Sequence, residues 1–350
     1  MTDAVNSCIP DAIQTVEELE EILSRPSQAA IRALGQADGD VLVLGAAGKM
    51  GPTLARMARR ASDAAGVRRR LWAVSRFSSA DVRRGLELHG VETIQGDLLD
   101  SQFIDSLPQA ANVVFMAGMK FGTTGNESLT WATNTWLPTL VARRFAASRI
   151  VAFSTGNIYG TVPIGGGGSR EGDALRPGGE YAMSCLGRER MFEYFSRALG
   201  TRTALVRLNY AVETRYGVLV DLARKVHDGA EIDLAMGHVN VIWQGDASAM
   251  ALAALADAAS PPWVLNVAGP EILSVRKVCQ QFGRLLGKPV RFTGCEQSDA
   301  FLSNTEMTCR RYGQPQVSVE RMMQWIAHWV AGGGPLLDKP THFQERDGKY

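Results

Sequence analysis

The sequence has almost no excess of charge of either sign. Its 37 Lys and Arg residues are matched by 36 Asp and Glu residues, which leaves a formal net charge of +1. A general attraction to nucleic acid or to anionic lipid needs a clear excess of basic residues, so this balance argues against both. Partners therefore have to be inferred from local sites, and we expect a small molecule rather than nucleic acid or a membrane.

Cysteine and histidine are also scarce. The five cysteines are spread along the chain without a Cys-x-x-Cys pair: Cys8, Cys185, Cys279, Cys295 and Cys309. Their odd number and scattered positions predict free thiols rather than a disulfide framework. The five histidines show no spacing typical of metal ligands, so we expect no metal site.

Long apolar runs are missing as well. No stretch approaches the ~20 apolar residues that span a bilayer, and the first ten residues lack the basic start and apolar run of a secretory signal. With 45% hydrophobic and 21% charged residues, the composition is that of a soluble enzyme, and we expect a cytoplasmic protein.

The order of apolar and helical segments predicts an α/β protein. Residues 1–40 are predicted to form a helical extension. Within it, Thr15 and Glu18 form a capping-box pattern that marks the start of a helix at Val16. Apolar strands then alternate with helical stretches, which predicts a doubly wound parallel Rossmann sheet. The predicted strands are 41–44, 71–74, 91–95, 113–116, 150–153, 204–208 and 264–267. We expect residues 41–208 to bind the cofactor and residues 209–350 to form mainly a smaller substrate lobe, with one strand at about 263–268 returning to the sheet.

A glycine-rich loop follows the first predicted strand. Gly45, Gly48 and Gly51 are spaced as Gly-x-x-Gly-x-x-Gly, with Lys49 and Met50 between the last two. The loop stands between a buried strand and a helical stretch, which is the setting in which glycines bring backbone N–H groups to a pyrophosphate. The sequence therefore predicts binding of a nicotinamide dinucleotide.

The end of the second strand bears on the form of this dinucleotide. NAD-preferring proteins usually carry an acidic residue there, which accepts hydrogen bonds from the adenosine ribose. This chain has Ser75 and Arg76, and arginine suits a 2′-phosphate, so the sequence favours NADP while leaving NAD open. The alternative is that these residues form part of a solvated basic surface.

The motifs together resemble a known family, the extended short-chain dehydrogenase/reductases, or NAD-dependent epimerase/dehydratase family, which includes UDP-galactose 4-epimerase and sugar dehydratases. The resemblance runs from about Val41 to Trp329. Besides the glycine loop, its markers are Asp97, 115–120, Asn134, 153–160, Tyr181, 207–209 and 265–267.

The resemblance implies roles for individual residues. Tyr181 is similar to the family's acid/base tyrosine, and Thr155 to the Ser/Thr partner that hydrogen-bonds the reacting oxygen. The implied cofactor positions beyond the glycine loop and Ser75-Arg76 are Asp97, Leu98, Ala117, Gly118, Lys120, Asn134 and Tyr181. The implied substrate positions are Thr155, Asn157, Asn209 and Arg215.

One departure from the family pattern concerns the catalytic helix. The family has a lysine four residues after the tyrosine, where it lowers the tyrosine pKa, but this chain has Cys185. A thiol cannot supply a positive charge, and Arg188 and Lys120 are the candidates to replace it. A small core thiol is the simplest interpretation of Cys185, and a nucleophile the less favoured one.

Two functions from different classes follow. The favoured one is an NAD(P)-dependent oxidoreductase or epimerase acting on a sugar or sugar derivative by hydride transfer. The alternative is a dinucleotide-binding sensor or scaffold that lost hydride chemistry together with the lysine; dehydration is a third reaction type, disfavoured because Gly156 and Asn157 rather than an acid follow Thr155. The resemblance also implies a homodimer formed through the helices at 131–147 and 181–199.

Overall fold

A parallel sheet of seven strands forms the centre of the molecule, which a computed structural model describes for residues 9–339 and 341–348. The strands are β1 (Val41–Leu44), β2 (Leu71–Ser75), β3 (Glu92–Gln95), β4 (Asn112–Phe115), β5 (Arg149–Thr155), β6 (Arg202–Leu208) and β7 (Trp263–Val267). Their order across the sheet is β7-β6-β5-β4-β1-β2-β3, and every neighbouring pair is parallel. The predicted doubly wound Rossmann sheet is confirmed, with strand bounds close to the predicted ones.

Helices cover both faces of the sheet and build the rest of the molecule. Their bounds are α1 (Val16–Leu23), α2 (Gln28–Gln36), α3 (Gly51–Ala64), α4 (Ala80–Leu88), α5 (Ser101–Ser106), α6 (Glu127–Trp131), α7 (Leu137–Arg144), α8 (Gly179–Leu199), α9 (Val218–His227), α10 (Gln244–Ala253), α11 (Val275–Leu286), α12 (Glu306–Tyr312) and α13 (Val319–Ala331). A π-helical turn at Ala132–Trp136 joins α6 to α7.

Strand β1 shows why the sheet needs both helical layers. All four of its side chains are buried, and successive residues point to opposite faces. Val41 and Val43 pack into one core with α2, α3 and α10, whereas Leu42 and Leu44 pack into another with α5, α7 and α8. A strand of four aliphatic residues thus anchors two cores, and the loop that follows it is held rigidly.

A third core lies outside the sheet. It combines apolar residues of α1, α9, α11 and α13, with Trp243 and Trp325 in edge-to-face contact at 5.1 Å. Four short strand pairs border it: 238–239 with 273–274, 242–243 with 211–212, 291–293 with 231–233, and 299–300 with 162–163. This core holds the segments from residue 209 onward over the carboxyl ends of the parallel strands.

The N-terminal helix begins as the capping pattern predicts. The Thr15 side chain accepts a hydrogen bond from the backbone N–H of Glu18 at 3.1 Å. Within the described residues, no helix combines the length and the apolar character needed to cross a membrane. The four described cysteines are free, and Cys8 lies outside the described residues.

Candidate cofactor and substrate site

A cavity of about 390 Å³ lies at the carboxyl ends of β1, β4, β5 and β6. Open parallel sheets bind ligands at this edge, next to the point where the strand order reverses. Eleven of the predicted site residues line the cavity: Gly45, Gly48, Lys49, Met50, Gly51, Gly118, Lys120, Thr155, Asn157, Tyr181 and Asn209.

The glycine loop is shaped by contacts that leave no room for side chains. Gly45 has a φ of +85°, and a Cβ there would lie 2.6 Å from the backbone nitrogen of Ala117. A Cβ on Gly51 would lie 2.3 Å from the carbonyl oxygen of Ala46. At Gly48, by contrast, the Gly45 oxygen is the only atom of the described residues within 4 Å of an added Cβ, at 3.4 Å, so the loop is open where it borders the cavity.

The start of α3 completes this half of the site. Met50 precedes the helix without a side-chain cap, and Pro52 occupies the first turn. The first N–H groups of a helix lack intrahelical partners and favour an anion, most readily a phosphate. The close-packed glycines and this uncapped helix start fit the pyrophosphate of a dinucleotide.

Tyr181 lies in the first turn of α8 and lines the other half of the cavity. Its phenol hydrogen-bonds the thiol of Cys185, which is 1% exposed. Burial raises the pKa of this thiol, and the contacts with Arg188 and Tyr181 lower it by less. Cys185 is therefore a neutral core thiol beside the phenol, which is unfavourable for a nucleophile.

Lys120 brings a positive charge to the same place from the segment after β4. Its Nζ lies 5.8 Å from the ring centroid of Tyr181 and 6.0 Å from that of Tyr210. Burial lowers the pKa of Lys120 to about 8, while Cys185 and Asp221 act in the opposite direction. This ammonium therefore stands near the Tyr181 ring and acts on the Cys185 thiol.

Arg188, the other candidate for this charge, also acts on the Cys185 thiol, but its guanidinium is bound by oxygen acceptors. Its guanidinium is buried and donates hydrogen bonds of 2.6 Å to the carbonyl oxygen of Phe153 and to Oδ1 of Asn134. Asn134 in turn accepts from the N–H of Met119 and donates to its carbonyl oxygen, both at 2.9 Å. Arg188 and Asn134 thus connect the end of β5 to the segment after β4, and neither lines the cavity.

Thr155 ends β5 and starts the 3₁₀ turn Gly156–Tyr159. Its Oγ1 accepts a hydrogen bond from the N–H of Asn157 at 3.2 Å and lies 3.3 Å from Asn157 Oδ1. The turn fixes the hydroxyl at the cavity surface, on the same cavity as Tyr181.

A buried ionic network supports this strand end. Glu189 on α8 accepts hydrogen bonds from Ser154 Oγ at 2.6 Å and from Arg207 Nη2 at 2.8 Å. Arg207 also donates to the hydroxyl of Tyr159 at 2.6 Å, and burial raises the pKa of that phenol to about 12. Because each charge is paired, the network rigidly joins α8 to β5 and β6.

Seven predicted site residues lie outside the cavity lining: Ser75, Arg76, Asp97, Leu98, Ala117, Asn134 and Arg215. Arg76 is exposed after β2, and Leu98 is buried in a core. Asp97 accepts a hydrogen bond from the N–H of Leu99 at 3.0 Å. Arg215 pairs with Glu213 at 3.0 Å and with Glu20 of α1 at 3.3 Å, so its guanidinium joins the substrate lobe to the N-terminal helix.

Several lining residues were not predicted, and Lys339 and Thr341 are the farthest along the chain. They follow α13, and no local motif marks them. Phe121 and Tyr216 also line the cavity without having been predicted to do so, although they directly follow the predicted site residues Lys120 and Arg215. Their importance is seen only in space, because Lys49 Nζ lies 3.4 Å from the ring centroid of Tyr216 and 4.2 Å from that of Phe121.

The electrostatics of Lys49 follow from this position. Burial lowers the pKa of Lys49 to about 7, with further lowering by Lys120 and Lys339 and a smaller opposing effect of Asp221.

Across residues 9–339 and 341–348, no three His, Cys, Asp or Glu side chains are grouped closely enough to hold a metal ion.

A comparison of the chain with known families decides its classification. The model of the NAD dependent epimerase/dehydratase family matches residues 41–267, more than half of the chain. The chain belongs to this family. The matched region of this family member contains β1 to β7, the glycine loop, Thr155 and Tyr181.

Solved structures share the fold of this epimerase/dehydratase family member. MoeE5 in complex with UDP-glucose and NAD is 19% identical with a TM-score of 0.68, over 84% of this chain and 99% of that chain. The dTDP-glucose 4,6-dehydratase DesIV from Streptomyces venezuelae, with NAD and TYD bound, is 17% identical with a TM-score of 0.70, over 84% and 97%. A UDP-glucose 4-epimerase from Thermotoga maritima with UDP-glucose is 16% identical with a TM-score of 0.69, over 84% and 99%. No curated protein sequence matches the chain.

Proposed function

We propose that the protein is an NAD(P)-dependent oxidoreductase or epimerase that acts on a sugar or sugar derivative. The observation that carries this proposal is the joint placement of the glycine loop, Thr155 and Tyr181 around one cavity. Family membership supports the nicotinamide cofactor. The sugar is supported by structures of the same fold that hold UDP-glucose.

Tyr181 is assigned the proton transfer. Oxidation of a carbinol removes a proton from its oxygen, and reduction returns one, so a phenol at the cavity surface serves as base or acid. Thr155, fixed by its turn, hydrogen-bonds the same oxygen and orients it. The nicotinamide, when bound, supplies or accepts the hydride.

Lys120 is assigned as a positioning residue for Tyr181. A cation near a phenol stabilises the phenolate and lowers the phenol pKa, and each unit of lowering corresponds to about 1.4 kcal/mol. The Lys120 ammonium lines the cavity 5.8 Å from the Tyr181 ring centroid, whereas the Arg188 guanidinium is bound to Phe153 and Asn134 outside the lining. We infer that Lys120, in the segment after β4, supplies the positive charge that the resemblance implies for a lysine on the tyrosine helix.

The cofactor form is proposed to be NADP, with NAD as the alternative. Ser75 and Arg76 end β2 without a carboxylate, and the exposed Arg76 guanidinium is available to a 2′-phosphate. In the same proposal, residues 41–208 hold the cofactor and residues 209–350 mainly hold the substrate, with Asn157 and Asn209 as contacts to sugar hydroxyls.

A homodimer through α6, α7 and α8 is also proposed. Large apolar side chains in this region stand at the surface: Leu129, Trp131, Trp136, Met183, Tyr194 and Leu199, from 36% to 61% exposed. Exposed tryptophans on neighbouring helices favour a protein contact over solvent. Light scattering should give twice the chain mass of 37.9 kDa, and a monomer at all concentrations would refute the proposal.

Substitution of Tyr181 by Phe tests the proposed reaction. Purified protein is incubated with NADP or NAD and a panel of sugars, and reduced cofactor is followed by absorbance. Loss of the phenol should lower kcat about 10²- to 10⁴-fold, the usual contribution of general acid–base catalysis. Tyr194→Phe, on the exposed side of the same helix, is the matched control and should keep full activity. Equal turnover by Tyr181→Phe would refute the assignment.

The alternative, a dinucleotide sensor without hydride chemistry, is favoured by one observation only, the thiol of Cys185 in place of the family's lysine. A sensor should bind the cofactor and leave every sugar unreacted. Turnover that depends on Tyr181 would exclude it.

A further inference from the structure

The chain after α13 returns across the cavity. The N–H of Leu337 donates to the carbonyl oxygen of Arg215 at 3.1 Å, and Thr341 donates from its N–H and its hydroxyl to Asp221 Oδ2 at 2.8 and 2.6 Å. Farther on, Arg346 pairs with Asp299, and Gly348 packs on the backbone of Gly179. The segment thus connects the substrate lobe to the beginning of the tyrosine helix, and it places Lys339 and Thr341 on the cavity surface.

Lys339 joins two other lysines there. Lys49 from the glycine loop, Lys120 from the segment after β4 and Lys339 all line the same cavity. Both of the other lysines lower the pKa of Lys49, so their charges act on this ammonium. Three cations from distant parts of the chain therefore meet in one place.

Among the described residues, one carboxylate acts on both Lys49 and Lys120. Asp221 is the carboxylate that acts on both Lys49 and Lys120, and it already accepts the two hydrogen bonds from Thr341. Partial burial of the Lys49 cation is costly unless an anion binds to it.

The surroundings of the Lys49 ammonium indicate most directly that a ligand supplies its hydrogen-bond acceptors. It is half-buried against the faces of Tyr216 and Phe121, and no side chain or carbonyl in the described part of the chain accepts a hydrogen bond from it. An ammonium has three donors, and ring faces satisfy its charge but not its hydrogen bonds. The donors are therefore available to a ligand in the cavity.

We propose that Lys49, Lys120 and Lys339 form a binding site for an oxyanion of the substrate, a carboxylate or a phosphate. The proposal rests on the proposed function and adds the class of substrate: an acidic or phosphorylated sugar. The cofactor pyrophosphate has its own place at the glycine loop backbone, whereas Lys49 Nζ lies on Tyr216 of the substrate lobe. The C-terminal segment thereby contributes to substrate choice through Lys339.

Calorimetry on the protein saturated with NADPH tests the proposal. The ligands are gluconate, glucose 6-phosphate and the neutral polyol sorbitol, and the comparison of the two anions distinguishes a carboxylate from a phosphate. At least one anion should bind about tenfold or more tightly than sorbitol, as expected for charge-assisted hydrogen bonds. Lys339→Met should remove most of this preference, and the exposed Lys277→Met on α11 is the matched control that should keep it.

The outcomes separate this proposal from the proposed reaction. An anion preference that survives in both Lys339→Met and Lys49→Met, or the lack of any preference in the unsubstituted protein, would overturn the site. A selective loss of NADPH affinity in these variants, with the sugar preference unchanged, would assign the lysines to the cofactor and also overturn it. Tyr181→Phe should keep the anion preference even if it turns over no sugar, so a failed reaction leaves the site testable.

Discussion

The two ends of the cavity are built in different ways. The cofactor end comes from a single strand, turn and helix, residues 41–64, and its shape follows from glycines packed against neighbouring backbone. The reactive end combines Lys120, Tyr181, Tyr216 and Lys339, which come from four separate segments. The first is a local property of the sequence, and the second exists only when the whole chain is folded.

Substitutions of the glycines should break the cofactor end most severely. Gly51→Ala places a Cβ against the Ala46 carbonyl, and Gly45→Ala combines a clash with positive φ. Such overpacking and strain should cost about 2–4 kcal/mol of unfolding free energy and abolish cofactor binding, as measured by urea unfolding and NADPH titration.

Gly66→Ala is the matched control for the glycine variants. Gly66 also has positive φ, at +71°, but no atom in the part of the chain that the structure describes lies within 4 Å of an added Cβ. The substitution should cost about 1–2 kcal/mol, the left-handed strain alone. Equal costs for Gly66→Ala and Gly51→Ala would show that close packing does not shape the loop.

A smaller effect at the same end concerns the form of the cofactor. Arg76→Ser should weaken NADPH binding about tenfold through loss of a charge-assisted contact to the 2′-phosphate, and NADH binding should be unchanged. Fluorescence titration of both cofactors measures the ratio of the two dissociation constants. An unchanged ratio would contradict the proposed preference for NADP.

The smallest expected effect is the contribution of the Lys49 charge to the pH dependence of stability. Below pH 7, Lys49 is charged in both the folded and unfolded states, so the folded state carries the full cost of burying it. Between pH 7 and 10.5 only the unfolded chain holds this proton, and stability therefore rises with pH.

Lys49→Met removes this cost. Without added anions, the variant should melt about 1–3 °C higher than the unsubstituted protein at pH 6, a modest gain because the group is partly solvated. The gain should shrink toward pH 10, and thermal unfolding at a series of pH values measures it. A gain that does not vary with pH would show that packing, rather than charge, is responsible.

The same contrast explains what could be predicted from the sequence. The strands, the glycine loop and the cavity positions of Thr155 and Tyr181 follow from periodicity and from motifs that occupy short stretches. Arg215 was predicted from a local resemblance, but its guanidinium pairs with Glu213 and with Glu20. Glu20 lies 195 residues away in the sequence, so no local pattern contains this second pairing. Lys339 and Thr341 reach the cavity through contacts with Arg215 and Asp221, which depend on the packing of the substrate lobe.

Cys185 illustrates the limit of a motif taken alone. Cys185 stands where the resemblance implies a lysine, and the sequence alone leaves Lys120 and Arg188 as equal candidates to replace it. The structure favours the proposal of Lys120, because Lys120 lines the cavity near the Tyr181 ring while Arg188 is bound to carbonyl and amide oxygens.

The pH dependence of kcat in Lys120→Met tests most directly the central claim, that Lys120 activates Tyr181 for proton transfer. Lys120→Arg is the conservative control. If Lys120 lowers the Tyr181 pKa, then Lys120→Met should lower kcat for oxidation about ten- to a hundredfold near neutral pH, since each pKa unit corresponds to about a factor of ten. The rise of kcat with pH should move to higher pH by about one to two units, and Lys120→Arg should restore much of the original profile. An unchanged kcat and pH profile in Lys120→Met would contradict the account.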